Sequence, residues 1–225
     1  MATPWPVKHP ERLQLYTLAT PNGQKVSVAL EELGLPYEAH TVNIREGQQF
    51  LPEFLAINPN NKIPAIVDPN GPEGELRLFE SGAILLYLAE KTGKLLPKNP
   101  AARMECIQWV FFQMGGIGPM FGQFGHFYKY AADKCLDPYP KERYRNEARR
   151  LLGVLEQRLA GRQYIMGDEY SIADIAIFPW VGCLDWGYGG YEVIGLDDFP
   201  TVMAWYQRCK GRPASEKGLK VGDLD

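Results

Sequence analysis

The sequence predicts two domains of different class, an α/β domain followed by an all-helical one. Two observations carry this. From Leu13 to about Leu96, short runs of alternating apolar residues exchange with runs of helical period, whereas beyond about Pro100 no strand pattern returns. Between the two textures, Thr92 to Pro100 holds glycine, lysine and proline around two leucines, as a linker does. The expected organisation is an N-terminal extension over residues 1–12, an α/β domain over 13–92, a linker over 93–100 and a helical domain over 101–225.

Leu13 to Thr17 alternates as a half-buried strand, and Val26, Ala29, Leu30 and Leu33 then recur at helical spacing until Gly34 stops them. Tyr37 to Val42 reads as a second strand. A short helix over Gln49 to Leu55 precedes two strands, Ala65 to Val67 and Leu76 to Phe79, joined by the turn-rich segment Asp68 to Gly74. A helix from Ser81 to Lys91 closes at Gly93. The order β-α-β-α-β-β-α is that of a thioredoxin-like domain.

The second half reads as helices over Ala101 to Tyr130, Pro140 to Leu159, Ser171 to Trp186 and Phe199 to Gly211. Pro119, in Gly115-Gly116-Ile117-Gly118-Pro119, has no N–H for the carbonyl of Gly115 and predicts a kink in the first of them. These glycines follow a helix and Phe121 stands where a third would be needed, so they are no dinucleotide fingerprint. They mark a bend or a close helix contact. Ser171 and Asp174 form a capping box, which makes Asp174 a folding residue rather than a catalytic acid.

Composition removes several function classes. With 24 basic against 27 acidic residues the net charge is −3, which favours neither nucleic acid nor an anionic membrane. No run approaches the roughly 18 apolar residues of a membrane span, and the first dozen residues lack the apolar core of a signal peptide, so a cytoplasmic address is expected. Cys106, Cys135, Cys183 and Cys209 are far apart, and His9, His40 and His126 have no ligand spacing, so neither a disulfide framework nor a metal is expected. Cys106 and Cys183 lie in apolar helical runs and read as inert core.

The most informative stretch is Asn58-Pro59-Asn60-Asn61-Lys62-Ile63-Pro64-Ala65-Ile66-Val67, followed by Phe79-Glu80-Ser81-Gly82-Ala83-Ile84. Pro64 stands where a strand begins and has no N–H to give a ladder, and an X-Pro bond is the one that becomes cis at modest cost. A cis bond here would turn the N–H and C=O of Ile63 toward a ligand backbone. Ser81 opens a helix whose hydroxyl and first N–H groups suit a carboxylate, and Glu80 beside it suits an ammonium. One carboxylate pocket, one ammonium partner and one exposed peptide edge match an amino-acid-like head joined to an amide backbone.

These residues resemble the glutathione transferase family, over about Leu13 to Pro213. Thr20-Pro21-Asn22-Gly23, Gly47-Gln48-Gln49-Phe50, Pro59 to Pro64 and Gly115 to Met120 are similar to the nu class of bacterial transferases and the related fungal nitrogen-regulator group. The resemblance implies a homodimer whose cleft holds two glutathione molecules or one glutathione disulfide, and glutathione-dependent disulfide reduction as the activity. It also implies that Thr20 and Asn22 contact the sulfur, that Gln49 and Lys62 take the glycyl end, that Asn61 is among the glutathione-binding residues, and that Ile63 pairs with the cysteinyl backbone. Glu80 and Ser81 would hold the γ-glutamyl head, and Arg143 would reach the second glutathione. Thr20 stands where other classes carry a serine or cysteine, so no protein thiol is offered.

The physical requirement at the sulfur is ionisation, since a free thiol with a pKa of about 8.5 is only slightly ionised at neutral pH. Thr20 and Asn22 are the donors after the first strand, before a helix whose positive end favours an anion. Tyr16 alternates with Leu13 and Leu15 and reads as core. Two other readings use the same cradle: conjugation of glutathione to small electrophiles, with Phe121, Phe124, Phe127, Tyr128 and Tyr130 as a pocket rather than core, and a non-catalytic glutathione-binding regulator.

Overall fold

The computed structural model describes residues 4–224. The chain forms two compact units, one running to Lys94 and resuming at Arg212, the other Leu95–Gly211. The first unit thus also takes in residues 212–225, which the sequence reading placed with the helical domain.

In the first unit, β1 (Leu13–Thr17), α1 (Pro21–Leu33), β2 (Tyr37–Thr41), α2 (Pro52–Leu55), β3 (Ala65–Gly71), β4 (Gly74–Phe79) and α3 (Ser81–Thr92) follow in the expected order. The sheet order is β2-β1-β3-β4, with β1 parallel to β2 and the other neighbours antiparallel. Its core includes Leu15, Val26, Leu30, Ile66, Ile84, Leu85 and Leu88, all inaccessible, each stabilising the fold by about 1.5–3 kcal/mol relative to exposure.

Several local expectations are corrected by partners distant in sequence. All five residues of β1 are buried, not every second one. Gln14 is tolerated there because its Nε2 donates to the carbonyls of His9 and Arg12 and its Oε1 lies 2.7 Å from His40 Nε2. The helix expected over Gln49 to Leu55 is a 3₁₀ turn, Gln48–Phe50, followed by α2, because Pro52 holds Leu51 extended and restarts the helix at its own position. The loop expected over Asp68 to Gly74 is mostly strand, with a register irregularity between Asp68 and Gly71 that accommodates Pro69. Buried Asp68 anchors it, accepting from Tyr87 Oη at 2.7 Å, Lys91 Nζ at 2.8 Å and Asn70 N at 2.9 Å. Before β1, Trp5 is buried edge-on to Tyr16 and Phe54, and its Nε1 donates to Thr41 O at 2.8 Å.

The second unit contains α4 (Pro100–Phe112), α5 (Gly118–Gly125), α6 (Pro138–Leu159), α7 (Ile172–Trp186), the short α8 (Tyr191–Ile194) and α9 (Pro200–Lys210). Between α4 and α5 the chain widens into a π turn, Gln113–Ile117, in which Gly118 N donates to Gln113 O. The strain expected from Pro119 as a kink is thus taken up as one wide turn, and Pro119 stands near the start of α5, where no N–H is required. Gly118 lies against Trp180 of α7, the close helix contact that was one of the two readings of its segment, and Gly122 lies against the same ring. On α6, Ala148, Leu151, Leu152, Leu155 and Leu159 form the buried stripe. The capping box at Ser171 and Asp174 is present. Asp174 also accepts from Ile165 N at 2.8 Å and Trp205 Nε1 at 2.9 Å. Burial pushes its carboxyl up to about 6 against the four bonds that favour its charge.

The first unit is completed by α10 (Pro213–Gly218), which packs on α1. Ser27 Oγ donates to Gly218 O at 2.6 Å, Gln24 Nε2 donates to Leu219 O at 3.1 Å, and the Arg212 guanidinium pairs with Glu32. A Cβ on Gly218 would stand 2.6 Å from Val28 Cα, so the two backbones touch with no room between them. Gly218→Ala is expected to lower the unfolding free energy by about 1–3 kcal/mol through overpacking, measured by chemical denaturation.

Candidate functional site

Strand register gathers three short segments at one end of the first unit's sheet. Tyr16 pairs with Ala65 and Ala65 pairs with Phe79, so the chain leaving β1, entering β3 and leaving β4 passes the same edge. Those passages hold Thr20 with Asn22, Asn61 to Ile63, and Glu80 with Ser81.

Thr20 is the N-cap of α1, with an extended backbone at φ −92° and ψ 163°, and its Oγ1 accepts a long bond of 3.4 Å from Gly23 N. Pro21 opens the helix without an N–H to satisfy. Gly23 is required by close approach: a Cβ there would lie 2.0 Å from Leu18 O and 2.5 Å from Thr17 Oγ1. The loop is braced from outside by Ala19 N donating to Gly222 O at 3.2 Å. Thr20 and Asn22 are both half-buried, at the positive end of a 13-residue helix.

Asn58 organises the second passage. It is 1 % exposed; its Oδ1 accepts from Asn60 N at 2.9 Å and its Nδ2 donates to Lys62 O at 2.6 Å. Asn61 is left-handed at φ 48°, a conformation asparagine tolerates better than most residues, and Lys62 is exposed. The Ile63–Pro64 bond is cis, and the Ile63 side chain packs beside Trp5, Tyr16 and Phe54. Gln49, in the 3₁₀ turn before α2, is half-buried with an Oε1 that is buried and has no hydrogen-bond partner among the described residues.

At the third passage Glu80 is exposed and left-handed, φ 71° and ψ 108°, a strained conformation for a residue with a side chain. Ser81, 3 % exposed, begins α3 and accepts from Lys25 Nζ at 3.2 Å. Sequence reasoning missed Lys25. It belongs to the buried face of α1 with Val28 and Ala29, three and four residues on, and that spacing was the available signal. Burial holds its ammonium well below the usual lysine range, with Glu80 pulling the other way.

Tyr16, Phe121 and Phe124 are core as expected, whereas Phe127, Tyr128 and Tyr130 are not fully buried. Tyr16 is 6 % exposed and stacked on His40, within the sheet's core. Phe121 and Phe124 are buried, Phe127 stacks on Tyr144 with centroids 5.5 Å apart, and Tyr130 is exposed. All four cysteines are free thiols. Burial raises the Cys106 thiol and pushes Cys183 up to about 12, so neither is a ready thiolate. In the second unit Arg143 is exposed on α6 and lines a cavity of about 540 Å³ with Met120, Tyr139, Tyr144, Glu147 and Arg150. The Arg150 guanidinium grips Glu147 with two bonds, of 2.8 and 2.7 Å. Among the described residues no helix is long and apolar enough to cross a membrane, and no group of three His, Cys, Asp or Glu is placed to hold a metal.

The glutathione S-transferase N-terminal domain matches residues 19–91, and the glutathione S-transferase C-terminal domain matches residues 108–213. The chain belongs to the glutathione S-transferase family. It is 47 % identical over 214 residues to the disulfide-bond oxidoreductase YfcG of Escherichia coli, covering 94 % of this chain and 96 % of that one. A crystal structure of a family member from Pseudomonas fluorescens with two glutathione bound is 57 % identical and superposes with a TM-score of 0.94, covering 96 % of each chain. One from Pseudomonas putida, with one glutathione disulfide bound per subunit, is 56 % identical, with a TM-score of 0.93 over 96 % of this chain and 94 % of that one. The first unit is accordingly the family's thioredoxin-like domain and the second its helical domain. Within that frame Asn58 is the turn's support: Asn58→Ala is expected to cost about 1–3 kcal/mol by orphaning Asn60 N and Lys62 O, read as a lower denaturant midpoint.

Proposed function

We propose that the protein is a glutathione-dependent disulfide-bond reductase whose site takes two glutathione molecules or one glutathione disulfide. The observation that carries this is the convergence of Thr20 and Asn22, the Ile63 backbone, and Glu80 with Ser81 on one end of the sheet, set by strand register. Support comes from the disulfide-bond oxidoreductase YfcG and from the two Pseudomonas structures with glutathione and glutathione disulfide.

In this reading Ser81 at the start of α3 receives the γ-glutamyl carboxylate and Glu80 the ammonium. Ile63 pairs with the cysteinyl backbone. Gln49, Asn61 and Lys62 take the glycyl end, where the unpartnered Gln49 Oε1 can accept from the ligand's glycyl N–H. Thr20 and Asn22 donate to the sulfur at the positive end of α1. A charge-assisted bond of about 1.5–3 kcal/mol favours the thiolate, so one or two lower the thiol pKa by roughly one to two units.

The thiolate attacks one sulfur of the disulfide, forming a mixed disulfide and expelling the other sulfur as a thiolate that takes a proton from water. A second glutathione thiolate, its carboxylate received by Arg143, attacks the glutathione sulfur of the mixed disulfide. Glutathione disulfide forms and the second substrate thiol leaves; two electrons pass from two glutathiones to one disulfide. The protein supplies position and polarity, and glutathione the nucleophile. The proposal extends to a homodimer in the cytoplasm.

The test is the steady-state reduction of a small disulfide by glutathione, with glutathione reductase recycling the product, beside conjugation to an aryl halide. An enzyme-dependent rate on the disulfide is expected; its absence refutes the reading. Thr20→Ala is expected to lose about tenfold to hundredfold in turnover, the worth of one charge-assisted bond, while glutathione still binds and Thr20→Ser restores the rate. Unchanged turnover in Thr20→Ala contradicts the role given to its hydroxyl.

A further inference from the structure

The helical unit has a cavity, apart from the one beside Arg143, that the proposed function does not use. It encloses about 370 Å³ between the end of α7, the short α8 and one side of α9, and Asp185, Trp186, Tyr191, Met203, Tyr206 and Lys210 line it. Helical period builds the wall. Met203, Tyr206 and Lys210 are three and four residues apart and share one side of α9, while Val202, Trp205 and Cys209 are buried in the core. The volume lies near the lower end of the roughly 300–1,000 Å³ usual for ligand pockets, which suits a molecule the size of one amino acid.

Tyr206 is 9 % exposed, and among the described residues its hydroxyl has no hydrogen-bond partner. A largely buried hydroxyl left unpaired is costly, and this one belongs to a residue of the cavity wall. A Cβ on Gly182 of α7, which lines the same cavity, would stand 2.6 Å from Tyr206 Oη, so glycine at that position makes the room the hydroxyl occupies. Burial first, and the Asp185 carboxylate after it, raise the Tyr206 phenol above its ordinary value, so it keeps its proton and is a donor.

Two exposed charges of opposite sign accompany that donor. Among the described residues neither the Asp185 nor the Lys210 side chain makes an ion pair or a hydrogen bond, and Lys210 Nζ lies 5.9 Å from the centroid of the Tyr206 ring. Opposite charges that line one cavity without pairing with each other fit a ligand that carries both signs. Tyr191 Oη already donates to Asp197 Oδ1 at 2.6 Å, which leaves its ring, with Trp186 and Met203, as the apolar part of the wall.

We propose that this cavity binds a free aromatic α-amino acid. Asp185 accepts from the α-ammonium, Lys210 and the Tyr206 hydroxyl donate to the α-carboxylate, and the side-chain ring packs on Trp186, Tyr191 and Met203. A peptide terminus brings one of those two charges, whereas a free amino acid brings both on a single carbon. The binding forms and breaks no covalent bond, and it is independent of the glutathione reading.

The test is titration of the whole protein with L-phenylalanine, followed by tryptophan fluorescence and isothermal titration calorimetry. Trp186 is 53 % exposed and the other four tryptophans are buried, so filling the cavity is expected to shift the emission to shorter wavelength. Saturable binding with a Kd below about 1 mM is expected. Phenylalaninamide, which lacks the carboxylate, and N-acetylphenylalanine, which lacks the ammonium, are expected to bind at least about tenfold more weakly. Asp185→Asn and Lys210→Met, both at exposed positions and expected to keep the wild-type fold, are expected to weaken L-phenylalanine by the same factor. A wild-type Kd above about 1 mM overturns the proposal. So does binding that both variants retain at wild-type strength, and so does equal affinity for the two analogues.

Discussion

Helix α1 has almost no surface of its own, and the architecture of the first unit follows from that constraint. Ten of its thirteen residues are buried, including Gln24, Lys25 and Ser27, which a helix with one solvent face would expose. Its backbone is approached from two sides: Leu18 O lies where a Cβ on Gly23 would be, and Gly218 lies against Val28. Glycine at both contacts lets the loop after β1 fold over the first turn and lets α10 close over the outer face. The same helix thereby carries the Thr20 cap, Asn22, and the lysine that reaches Ser81.

Two helix N-termini, those of α1 and α3, point their positive ends at the passages where the proposed ligand has its anionic groups. The three passages hold hydroxyls, amides and backbone donors, with Lys62 and Glu80, and none of the four cysteines. Cys106, Cys183 and Cys209 are buried, and burial works against the thiolate form of the first two. Chemistry on such a scaffold is done by what binds there. Mild donors suit that task, because thiolate reactivity falls as the thiol pKa falls, with a slope of about 0.4–0.5.

Features written in local chemistry were legible in the sequence. Gly34 and Gly93 stop their helices, Ser171 and Asp174 make the capping box, and Pro64 follows a cis bond at the start of β3. The order β-α-β-α-β-β-α up to α3 followed from period and turn signals. Features made by partners far along the chain were not legible. Gln14 reads as the solvent side of a strand until His40 and the carbonyls of His9 and Arg12 surround it. Lys25 is spaced with Val28 and Ala29 on one face of α1, but its partner Ser81 lies 56 residues away. The return of α10 to the first unit depends on a backbone contact between Gly218 and Val28 that no pattern near either residue announces. Glu80, Ser81, Asn61 and Ile63 were singled out by motif, whereas Asn58 was read only as part of a turn, since its role is in bonds to its neighbours' backbone.

In the proposed site glutathione is held with its sulfur as a thiolate by Thr20 and Asn22, neither of which carries a charge. The most direct measurement is the pH titration of the ultraviolet thiolate absorbance of glutathione bound to the wild-type protein, against the free tripeptide. The account predicts a bound thiol pKa about one to two units below the free value of about 8.5. A bound thiol that titrates like the free one would contradict it.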